Sequence, residues 1–266
     1  MKAFQEMIWS YYNEHKRDFV WRKNITPYVV VVSEIMLQQT QTSRVKEKIE
    51  SFVKVFPSFE ILAQASTLEV IKEWVGLGYN RRALTVHEFA KKVVTEWGGI
   101  MPKDPLLLQT CKGIGPATAA SIIAFAFNQP TIFIETNIRT VFLHHFFKDE
   151  TLVPDAYLFP FIKATLDHNN PREWYYALMD YGVMIKKNYK NPNRKSKHYV
   201  TQSRFEGSDR QIRGAVLRLL LKEKIVLDQK LFALDEDKNR MQKIVDSLIK
   251  EGFIICDDHH FFSLSK

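Results

Sequence analysis

The sequence predicts a mainly α-helical protein that closes with a small α/β module. Apolar residues recur at helical spacing in KEKIESFVKVF, STLEVIKEWVGL and RRALTVHEFAKKVVTEW. Three helix starts are marked by Thr26-Pro27, Asp104-Pro105 and Asn170-Pro171, in which a capping side chain precedes a proline suited to the first helical turn. A strand pattern is found only in the final segment, FIICDDHHFFSLS, whose two alternating runs flank a polar turn.

Composition narrows the class of protein. The chain has 266 residues, 45% of them hydrophobic, which is enough for more than one domain. Its net charge of +8 suits a polyanionic partner, nucleic acid first, although many soluble proteins are equally basic. No run is long enough to span a membrane and the N-terminus lacks a secretory signal, so a cytoplasmic, nucleoid-associated protein without a membrane partner is expected. Cys111 and Cys256 are expected to be small buried residues.

The region after residue 183 changes character twice. Residues 184–205 hold seven basic residues and no acid, a composition typical of a solvated loop or linker. Residues 206–266 then predict a helix, a short helical turn, a second long helix and the strand pair. Helices followed by a small hairpin indicate a winged-helix-like module. Its acids and bases roughly balance, so it could contact DNA or a protein partner.

An acid interrupts the most apolar run of the chain. Glu34 follows TPYVVVVS and precedes IMLQQTQ. On a helix its neighbours three and four positions away include Val30, Val31 and Leu37. Apolar surroundings should favour the protonated carboxyl and raise its pKa, as a general acid requires. A buried glutamate satisfied by a backbone amide or an arginine is an equally simple interpretation.

Two further stretches carry chemical signals. LLQTCKGIGPATAASIIAFAF predicts two helices joined by a glycine turn, which can expose backbone N–H groups to a phosphate or serve as an ordinary hairpin. PTIFIETNIRTVF again ends an apolar run with an acid, Glu135. That carboxylate could stabilise positive charge in a reaction, or it could cap the helix that follows.

Four motifs in order, SEIMLQQTQ, GLGYNRRA, GIGPATAAS and ETNIRTVF, resemble the helix-hairpin-helix (HhH-GPD) DNA glycosylases, in particular the MutY-type adenine glycosylases. The similarity covers roughly residues 1–187. It implies a two-domain helical fold with the active site in the cleft between the domains. The expected segments are a helical domain (1–26 and 127–187), a six-helix barrel (27–126) with the hairpin at 107–127, a basic linker (188–205) and the winged-helix-like module (206–266).

The resemblance also implies roles for individual residues. Glu34 matches the catalytic glutamate that protonates the target base, Glu135 stands where the family has an aspartate that stabilises the positive sugar, and Asn137 lies beside it. The implied base-pocket and duplex-wedge residues are Arg17, Trp21, Arg22, Leu37, Gln38, Gln39, Tyr79, Ala117 and Tyr176. The implied contacts to the DNA backbone are Lys112, Gly113, Ile114, Gly115, Thr118, Arg139, Lys186 and Lys187.

Departures from the family pattern refine these expectations. The four cysteines that hold an iron–sulfur cluster in most relatives are missing, so neither a cluster nor another cofactor or metal is expected. The pairs His144-His145 and His259-His260 are assigned to a core helix and an exposed hairpin. Ala117 replaces the lysine nucleophile of the endonuclease III branch, which predicts a monofunctional enzyme without lyase activity.

The expected activity is hydrolysis of the N-glycosidic bond of a flipped mispaired base, first of all adenine opposite guanine or 8-oxoguanine. Tyr176 falls where relatives carry a glutamate or glutamine that reads adenine, and the Nudix-like C-terminal domain is absent. Thymine, uracil or a modified base therefore stays open as the target. A non-enzymatic DNA-binding protein on the same scaffold is the alternative of another class. The expected partner is double-stranded DNA with a mismatched or damaged base, bound by a monomer.

Overall fold

The computed structural model describes residues 1–265, and most of them are helical, as predicted. The described chain forms a three-stranded sheet of β1 (Ile225–Leu227), β2 (Ile254–Cys256) and β3 (Phe261–Leu264). Its helices, in chain order, are α1 (Lys2–His15), α2 (Val20–Lys23), α3 (Pro27–Leu37), α4 (Thr42–Val55), α5 (Phe59–Gln64), α6 (Thr67–Trp74), α7 (Arg81–Thr95), α8 (Pro105–Gln109), α9 (Pro116–Phe127), α10 (Thr136–Phe146), α11 (Phe159–Thr165), α12 (Pro171–Asn188), α13 (Asp209–Glu223), α14 (Asp228–Phe232) and α15 (Lys238–Lys250).

Helices begin at all three predicted prolines, but Asn170 makes no side-chain cap at the beginning of α12, and only the other two starts are capped. The Thr26 hydroxyl accepts a hydrogen bond from the Val29 N–H at 3.2 Å at the beginning of α3. The Asp104 carboxylate accepts one from the Leu106 N–H at 2.8 Å at the beginning of α8. In both cases the side chain satisfies a backbone donor that has no partner within the helix.

The chain divides into two compact units, one of residues 1–34 and 102–201 and the other of residues 35–101 and 202 onward. This division differs from the predicted segments. The hairpin helix α9, predicted with the barrel, packs in the first unit, where the Phe125 and Tyr176 rings stack 4.8 Å apart. The C-terminal module groups with the second unit because it shares an apolar core with α6 and α7.

In the first unit, α12 is the central helix. Trp174 and Tyr175 are fully buried on it. Two turns further on, Gly182 meets the first turn of α10 so closely that a Cβ atom there would lie 2.4 Å from the Asn137 carbonyl oxygen. Glycine at this position therefore allows α12 to touch the backbone that carries Asn137.

The predicted basic linker is not a free loop over its whole length. Residues Pro192–Lys195 form a 3₁₀ helix. The buried Asn193 donates from Nδ2 to the Thr140 hydroxyl at 2.6 Å, and the Val153 N–H donates to the Lys195 carbonyl at 2.8 Å. The prediction was wrong here because it considered only the charges of this run and not the polar groups of Asn193 and Lys195, which bond to neighbouring elements.

In the second unit, the C-terminal module has the predicted winged-helix-like order of elements. Its sheet has the order β1-β3-β2, with both pairs antiparallel. The sheet side chain Phe262 and the helix side chains Val216 and Leu248 belong to one buried cluster that also includes Ile71 of α6. The sequence did not reveal β1, because three residues are too short for an alternation pattern.

Candidate active site

Glu34 lies in the middle of α3, between fully buried aliphatic residues. Part of the residue reaches the surface, but its carboxyl group is enclosed by protein. Burial raises the pKa of this carboxyl to about 7, against the opposing effects of a hydrogen bond from Ser121 and the charge of Arg22. A pKa in this range suits proton transfer near neutral pH, as the role predicted for Glu34 requires.

The hydrogen-bond partner of Glu34 is Ser121, a buried residue of α9. The Ser121 Oγ atom lies 2.6 Å from Glu34 Oε2 and 3.0 Å from the Thr118 carbonyl oxygen. A hydroxyl has one proton to donate and can also accept. It can donate to Glu34 when the carboxylate is charged, and accept from Glu34 while donating to Thr118 when the carboxyl is protonated. Both protonation states of Glu34 are thus satisfied by the same atom.

Glu135 occupies a different setting, the N-cap of α10. Its Oε1 atom accepts hydrogen bonds from the Asn137 and Ile138 N–H groups at 2.7 and 2.8 Å, and its Oε2 atom accepts one from Asn137 Nδ2 at 3.2 Å. These bonds satisfy backbone N–H groups that have no partner within the helix and hold the carboxylate in one orientation. The cap interpretation is confirmed, and a capping carboxylate keeps a second oxygen that can face positive charge.

Two neighbours extend the surroundings of Glu135. The Asn137 side-chain oxygen is buried and has no hydrogen-bond partner within the described residues, so it can accept a bond from a bound molecule. Burial lowers the pKa of Lys186, and the charge of Glu135 opposes that effect. Lys186 lies in the last turn of α12 and is influenced by the charge of Glu135, whereas Lys187 is exposed.

Two arginines predicted for the base pocket are held by an acid that the resemblance did not single out, Asp180. Arg17 Nε lies 2.7 Å from Asp180 Oδ1, and Arg22 Nη1 and Nη2 each lie 2.9 Å from its two oxygens. The Arg22 guanidinium lies 4.3 Å from the centre of the Tyr176 ring. Because Asp180 is buried, this bidentate arrangement fixes the guanidinium plane over the aromatic ring.

Aromatic rings complete this part of the unit. The Trp21 ring is buried and stacks on Phe19 with 4.6 Å between the ring centres. The charge of Glu34 contributes to raising the pKa of Tyr176 after burial itself, which indicates that the two side chains are neighbours. The Tyr176 ring is itself covered, because Phe125 stacks on it and the Arg22 guanidinium lies over it.

The glycine hairpin is formed as predicted, with one exception. Gly113 has a φ of +88°, a left-handed conformation that favours glycine. The Lys112, Gly115 and Ala117 positions are exposed, and Thr118 is half-buried. The Ile114 N–H donates to the Cys111 carbonyl at 3.1 Å and its side chain is buried, so Ile114 does not offer a free backbone donor to a phosphate.

Arg139 is also corrected by the structure. It forms a bidentate ion pair with Asp155, with Nε–Oδ1 and Nη2–Oδ2 distances of 2.7 and 2.6 Å. Both side chains are largely buried, at 17% and 22% exposure. This arginine stabilises the start of the segment after α10 and is not available as the predicted DNA-backbone contact.

The predicted wedge residues lie in the second unit. Gln39 is exposed and has a φ of +55°, and Tyr79 has a φ of +47°, so each departs from the common backbone conformations. The buried Arg82 ties these two turns together, since it donates to the Met36 carbonyl at 2.7 Å and to the Gly78 carbonyl at 2.9 Å. Leu37 and Gln38, at the end of α3, are half-buried.

Three of these supporting residues lie in the region covered by the resemblance without being recognised. Ser121 is the last residue of GIGPATAAS and Arg82 is the second arginine of GLGYNRRA, two of the quoted motifs, and Asp180 lies further on, in the segment YALMDYG. Each is a buried polar residue inside an apolar pattern. That combination is the signal that could have identified them, because buried polar groups need partners.

The chain's own residues do not fit an iron–sulfur cluster. Such clusters are held by four cysteine thiolates, and this sequence has two cysteines. Cys111 is buried beside the hairpin, as expected, but Cys256 in β2 is exposed, contrary to the prediction. Among residues 1–265 no group of three or more histidine, cysteine, aspartate or glutamate side chains could hold a metal ion, and no helix there has the length and apolarity needed to cross a membrane.

Part of this chain is similar in sequence and in fold to known proteins. Residues 32–156 match the HhH-GPD superfamily of base excision DNA repair proteins. The human adenine DNA glycosylase is 38% identical over 148 residues, which is 52% of this chain and 27% of that protein. The adenine DNA glycosylase of Mycolicibacterium smegmatis is 36% identical over 133 residues, 50% of this chain and 45% of that protein.

Other relatives act on different bases. The thymine/uracil-DNA glycosylase of Methanothermobacter thermautotrophicus is 29% identical over 146 residues, 54% of this chain and 66% of that protein. A solved thermostable thymine-DNA glycosylase superimposes with a TM-score of 0.64 and 25% identity, over 73% of this chain and 91% of that one. Endonuclease III in a non-covalent DNA complex has a TM-score of 0.53 and 15% identity, over 69% and 83% of the two chains.

The matched segment, residues 32–156, is a little under half of the chain and is similar to the HhH-GPD superfamily of base excision DNA repair proteins. The adenine DNA glycosylases of rat, Mycolicibacterium smegmatis and human are 36–38% identical to this chain over about half of its length. The chain spans less than half the length of those three relatives.

Proposed function

We propose that this chain is a monofunctional DNA glycosylase of base excision repair, which hydrolyses the N-glycosidic bond of adenine mispaired with guanine or 8-oxoguanine. The observation that supports this most directly is Glu34, a carboxyl with a pKa of about 7 that is hydrogen-bonded to Ser121 within the domain shared with adenine glycosylases. The partner is double-stranded DNA from which the target nucleotide has been rotated out of the stack.

In the proposed reaction, protonated Glu34 transfers its proton to a ring nitrogen of the flipped base. The electrons of the C1′–N bond move to the base, which leaves as a neutral molecule. The deoxyribose is left as an oxocarbenium ion, and water then adds at C1′ and loses a proton. A donor with a pKa near 7 is protonated in a large fraction of molecules at neutral pH and still transfers its proton readily.

Glu135 supplies the opposite charge. Held by the Asn137 and Ile138 N–H groups at the start of α10, it stays in a fixed orientation during the reaction. Its carboxylate would stabilise the cationic sugar electrostatically, and the unpaired Asn137 oxygen would accept a hydrogen bond from the substrate or the attacking water. Glu135 is one methylene longer than the family's aspartate, and the hydrogen bonds at the N-cap hold its carboxylate in one position.

The proposal excludes a lyase step at the hairpin, because Ala117 provides no amine to attack the sugar. Borohydride trapping of the protein on its product DNA should therefore yield no covalent adduct. The proposed enzyme also works without an iron–sulfur cluster, since the segment that follows α12 is anchored by Asn193 and Lys195 through hydrogen bonds to neighbouring elements.

Thymine or uracil opposite guanine is the second candidate. It is favoured by the solved thymine-DNA glycosylase, which aligns over 91% of its own length, and by Tyr176, whose buried aromatic ring replaces the expected adenine-reading group. Because Phe125 and Arg22 already cover the ring, Tyr176 supplies no side-chain amide or carboxylate for reading adenine and no open face for stacking on it.

A panel of labelled duplexes tests both candidates. Each duplex carries one mismatch, uracil, hypoxanthine or 8-oxoguanine, and strand breaks are counted after hot alkali. Breaks at adenine opposite guanine or 8-oxoguanine, absent with Glu34→Gln, would support the proposal. Breaks only at thymine or uracil would transfer the mechanism to the second candidate, whereas tight binding without any breaks would indicate a DNA-binding protein.

A further inference from the structure

The second unit contains a pocket that the proposed chemistry does not use. Its accessible volume is about 410 Å³, and it lies where the GLGYN turn meets α13 of the C-terminal module. Its lining includes Gln38, Gln39 and Tyr79. It also includes the arginines Arg81, Arg210 and Arg213. The module therefore shares a wall with the predicted wedge residues.

Arg210 makes the most specific contact across this pocket. Its Nη1 atom donates to the Tyr79 hydroxyl at 2.6 Å, its Nη2 atom donates to the Ser203 carbonyl at 2.8 Å, and its guanidinium lies 4.9 Å from the centre of the Tyr79 ring. Gln202 also donates to the Tyr79 hydroxyl. A guanidinium carries five N–H donors, so these two bonds leave donors that can face a ligand.

The charge of the pocket is positive. Arg81 and Arg213 share Glu251, each with a 2.6 Å ion pair. Burial alone would raise the pKa of Glu251, but hydrogen bonds from Arg81, Ser247 and Arg213 lower it to about 2, so one fixed negative charge faces two arginines. Arg210 and the buried Arg82 add two more positive charges to the lining. The side-chain amides of Gln38 and Gln39 contribute further hydrogen-bonding groups.

A protein-binding surface would be expected to present an apolar centre, whereas these walls are cationic and rich in donors. An acceptor-only group suits them better. DNA offers two such groups, the O6/N7 edge of guanine, which arginine binds in a bidentate manner, and the backbone phosphate. Gln39 and Tyr79, both in left-handed conformations, keep their side chains at the rim of this pocket although that backbone geometry is costly.

We propose that α13 of the C-terminal module and the turns of Gln39 and Tyr79 form one DNA-binding pocket, in which Arg210 binds an acceptor-only group of a nucleotide, the guanine edge or a phosphate. This rests on the proposed function for the identity of the macromolecule as DNA. The C-terminal module then contributes the Arg210 side chain to the DNA-binding surface of the second unit.

The test measures DNA affinity rather than excision, in the Glu34→Gln background, by fluorescence anisotropy at several salt concentrations. Duplexes carry adenine opposite each of the four bases and opposite 8-oxoguanine. The variants are Arg210→Ala and Arg210→Gln, of which the second keeps a hydrogen-bond donor for Tyr79 but loses the charge. Arg218→Ala is the matched control, because Arg218 is exposed on the same helix and does not line the pocket.

Both Arg210 variants should raise Kd about tenfold, which corresponds to the loss of one good arginine contact. If the group is the guanine edge, the increase is largest with guanine opposite adenine and smaller with 8-oxoguanine, whose N7 carries a proton and cannot accept a hydrogen bond, and it is absent with the other bases. If it is a phosphate, the increase is the same for every duplex and the salt slope falls by about one.

The proposal is overturned if Kd for either Arg210 variant equals that of Arg218→Ala on every duplex while the variants keep the thermal midpoint of the parent. A protein-facing module would then be favoured. Arg210→Gln guards against misfolding of the alanine variant. Excision data separate this proposal from the proposed function. If the chain does not excise adenine but the Arg210 variants bind DNA more weakly, the DNA-binding pocket stands and the proposed function fails. If the chain excises adenine but the Arg210 variants bind DNA with unchanged Kd, the proposed function stands and the pocket fails.

Discussion

The middle of α3 and the beginning of α10 each place a glutamate at the end of an apolar run, yet they treat its charge in opposite ways. Glu34 has aliphatic neighbours and one hydroxyl, and burial raises its pKa to about 7. Glu135 has two backbone N–H donors and the positive end of a helix. The comparison teaches that position along a helix decides whether the same side chain stores a proton or a negative charge.

This difference divides the labour of the proposed reaction. An acid at mid-helix finds no free backbone donors, because those N–H groups are already used in the helix. It therefore becomes neutral when its surroundings are apolar. An acid at the N-cap finds up to three free donors and remains an acceptor. One chain can thus hold a proton donor and a stabilising anion without a metal ion or a cofactor to separate their roles.

Replacing the proton donor should have the largest effect. Glu34→Gln keeps the size and a hydrogen-bonding group beside Ser121 but cannot transfer a proton. We expect the single-turnover excision rate to fall by about 10³-fold, within the range of general acid catalysis. The rate is measured on the duplex that the alkali panel identifies as the substrate.

The matched control for that variant is Glu50→Gln, since Glu50 is an exposed glutamate on α4. Its excision rate should equal that of the parent chain. Unchanged excision by Glu34→Gln would contradict the assignment of Glu34 as the proton donor, whatever its pKa.

Glu135 can be dissected by two replacements. Glu135→Gln keeps an oxygen that can accept from the Asn137 and Ile138 N–H groups but removes the charge, whereas Glu135→Ala removes both. We expect excision to fall by about 10²-fold or more in either variant, since a preorganised charge of this kind is typically worth that much. Only the alanine variant should also lose about 1 kcal/mol of stability through the missing cap.

Excision rates and denaturant unfolding of these two variants are compared with those of Glu135→Asp, which retains a carboxylate. If Glu135→Gln excised at the parental rate, the residue would be a cap and nothing more. Equal stability of the alanine and glutamine variants would instead show that the cap bonds contribute little to folding.

The sequence was sufficient to single out Glu34 and Glu135 as acids in apolar runs. It was also sufficient to predict the hairpin and the winged-helix-like order of the last elements. These depend on local patterns: an acid in an apolar run, a glycine turn, and helices followed by alternating strands. The bonding partners of the acids depend on residues far apart in the chain, such as Ser121 for Glu34, 87 positions away. No spacing rule reveals such a contact, so the serine looked like part of a small-residue helix.

The errors have a common physical origin. The role of Arg139 came from the resemblance and that of the basic run after α12 from its charge, and neither source distinguishes free from paired side chains. Asp155 neutralises Arg139, and the polar residues around Asn193 anchor the run. The short strand β1 was missed for a different reason, since it forms only by pairing with β3, which lies more than 30 residues further along the chain.

The pKa of Glu34 also predicts a cost in stability. Its value of about 7 in the native chain exceeds the ordinary 4.5, so the native state binds more protons than the unfolded state between these values. Stability is therefore fully present below pH 4.5 and falls as the pH rises through 7. The two values correspond to a loss of up to about 3 kcal/mol.

Glu34→Gln removes this titration. The free energy of unfolding of the variant minus that of the parent should increase by up to about 3 kcal/mol between pH 4 and pH 8. Urea unfolding at both pH values measures it, with Glu50→Gln as the reference for an exposed glutamate. A difference that stays constant with pH would mean that Glu34 titrates normally, and the contrast with Glu135 would be lost.

The smallest effect concerns the hydroxyl beside the proton donor. The hydrogen bond from Ser121 lowers the pKa of Glu34, so Ser121→Ala should raise that pKa. Because Glu34 acts in its protonated form, the alkaline fall of the excision rate should move to higher pH. The rate is measured at subsaturating DNA, where the profile reports the free enzyme. Ser51→Ala, an exposed serine on α4 that donates to the Lys48 carbonyl, should leave the profile in place. A shift to lower pH would mean that Ser121 stabilises the protonated carboxyl more than the charged one, and the serine would then hold the proton in place rather than ease its release.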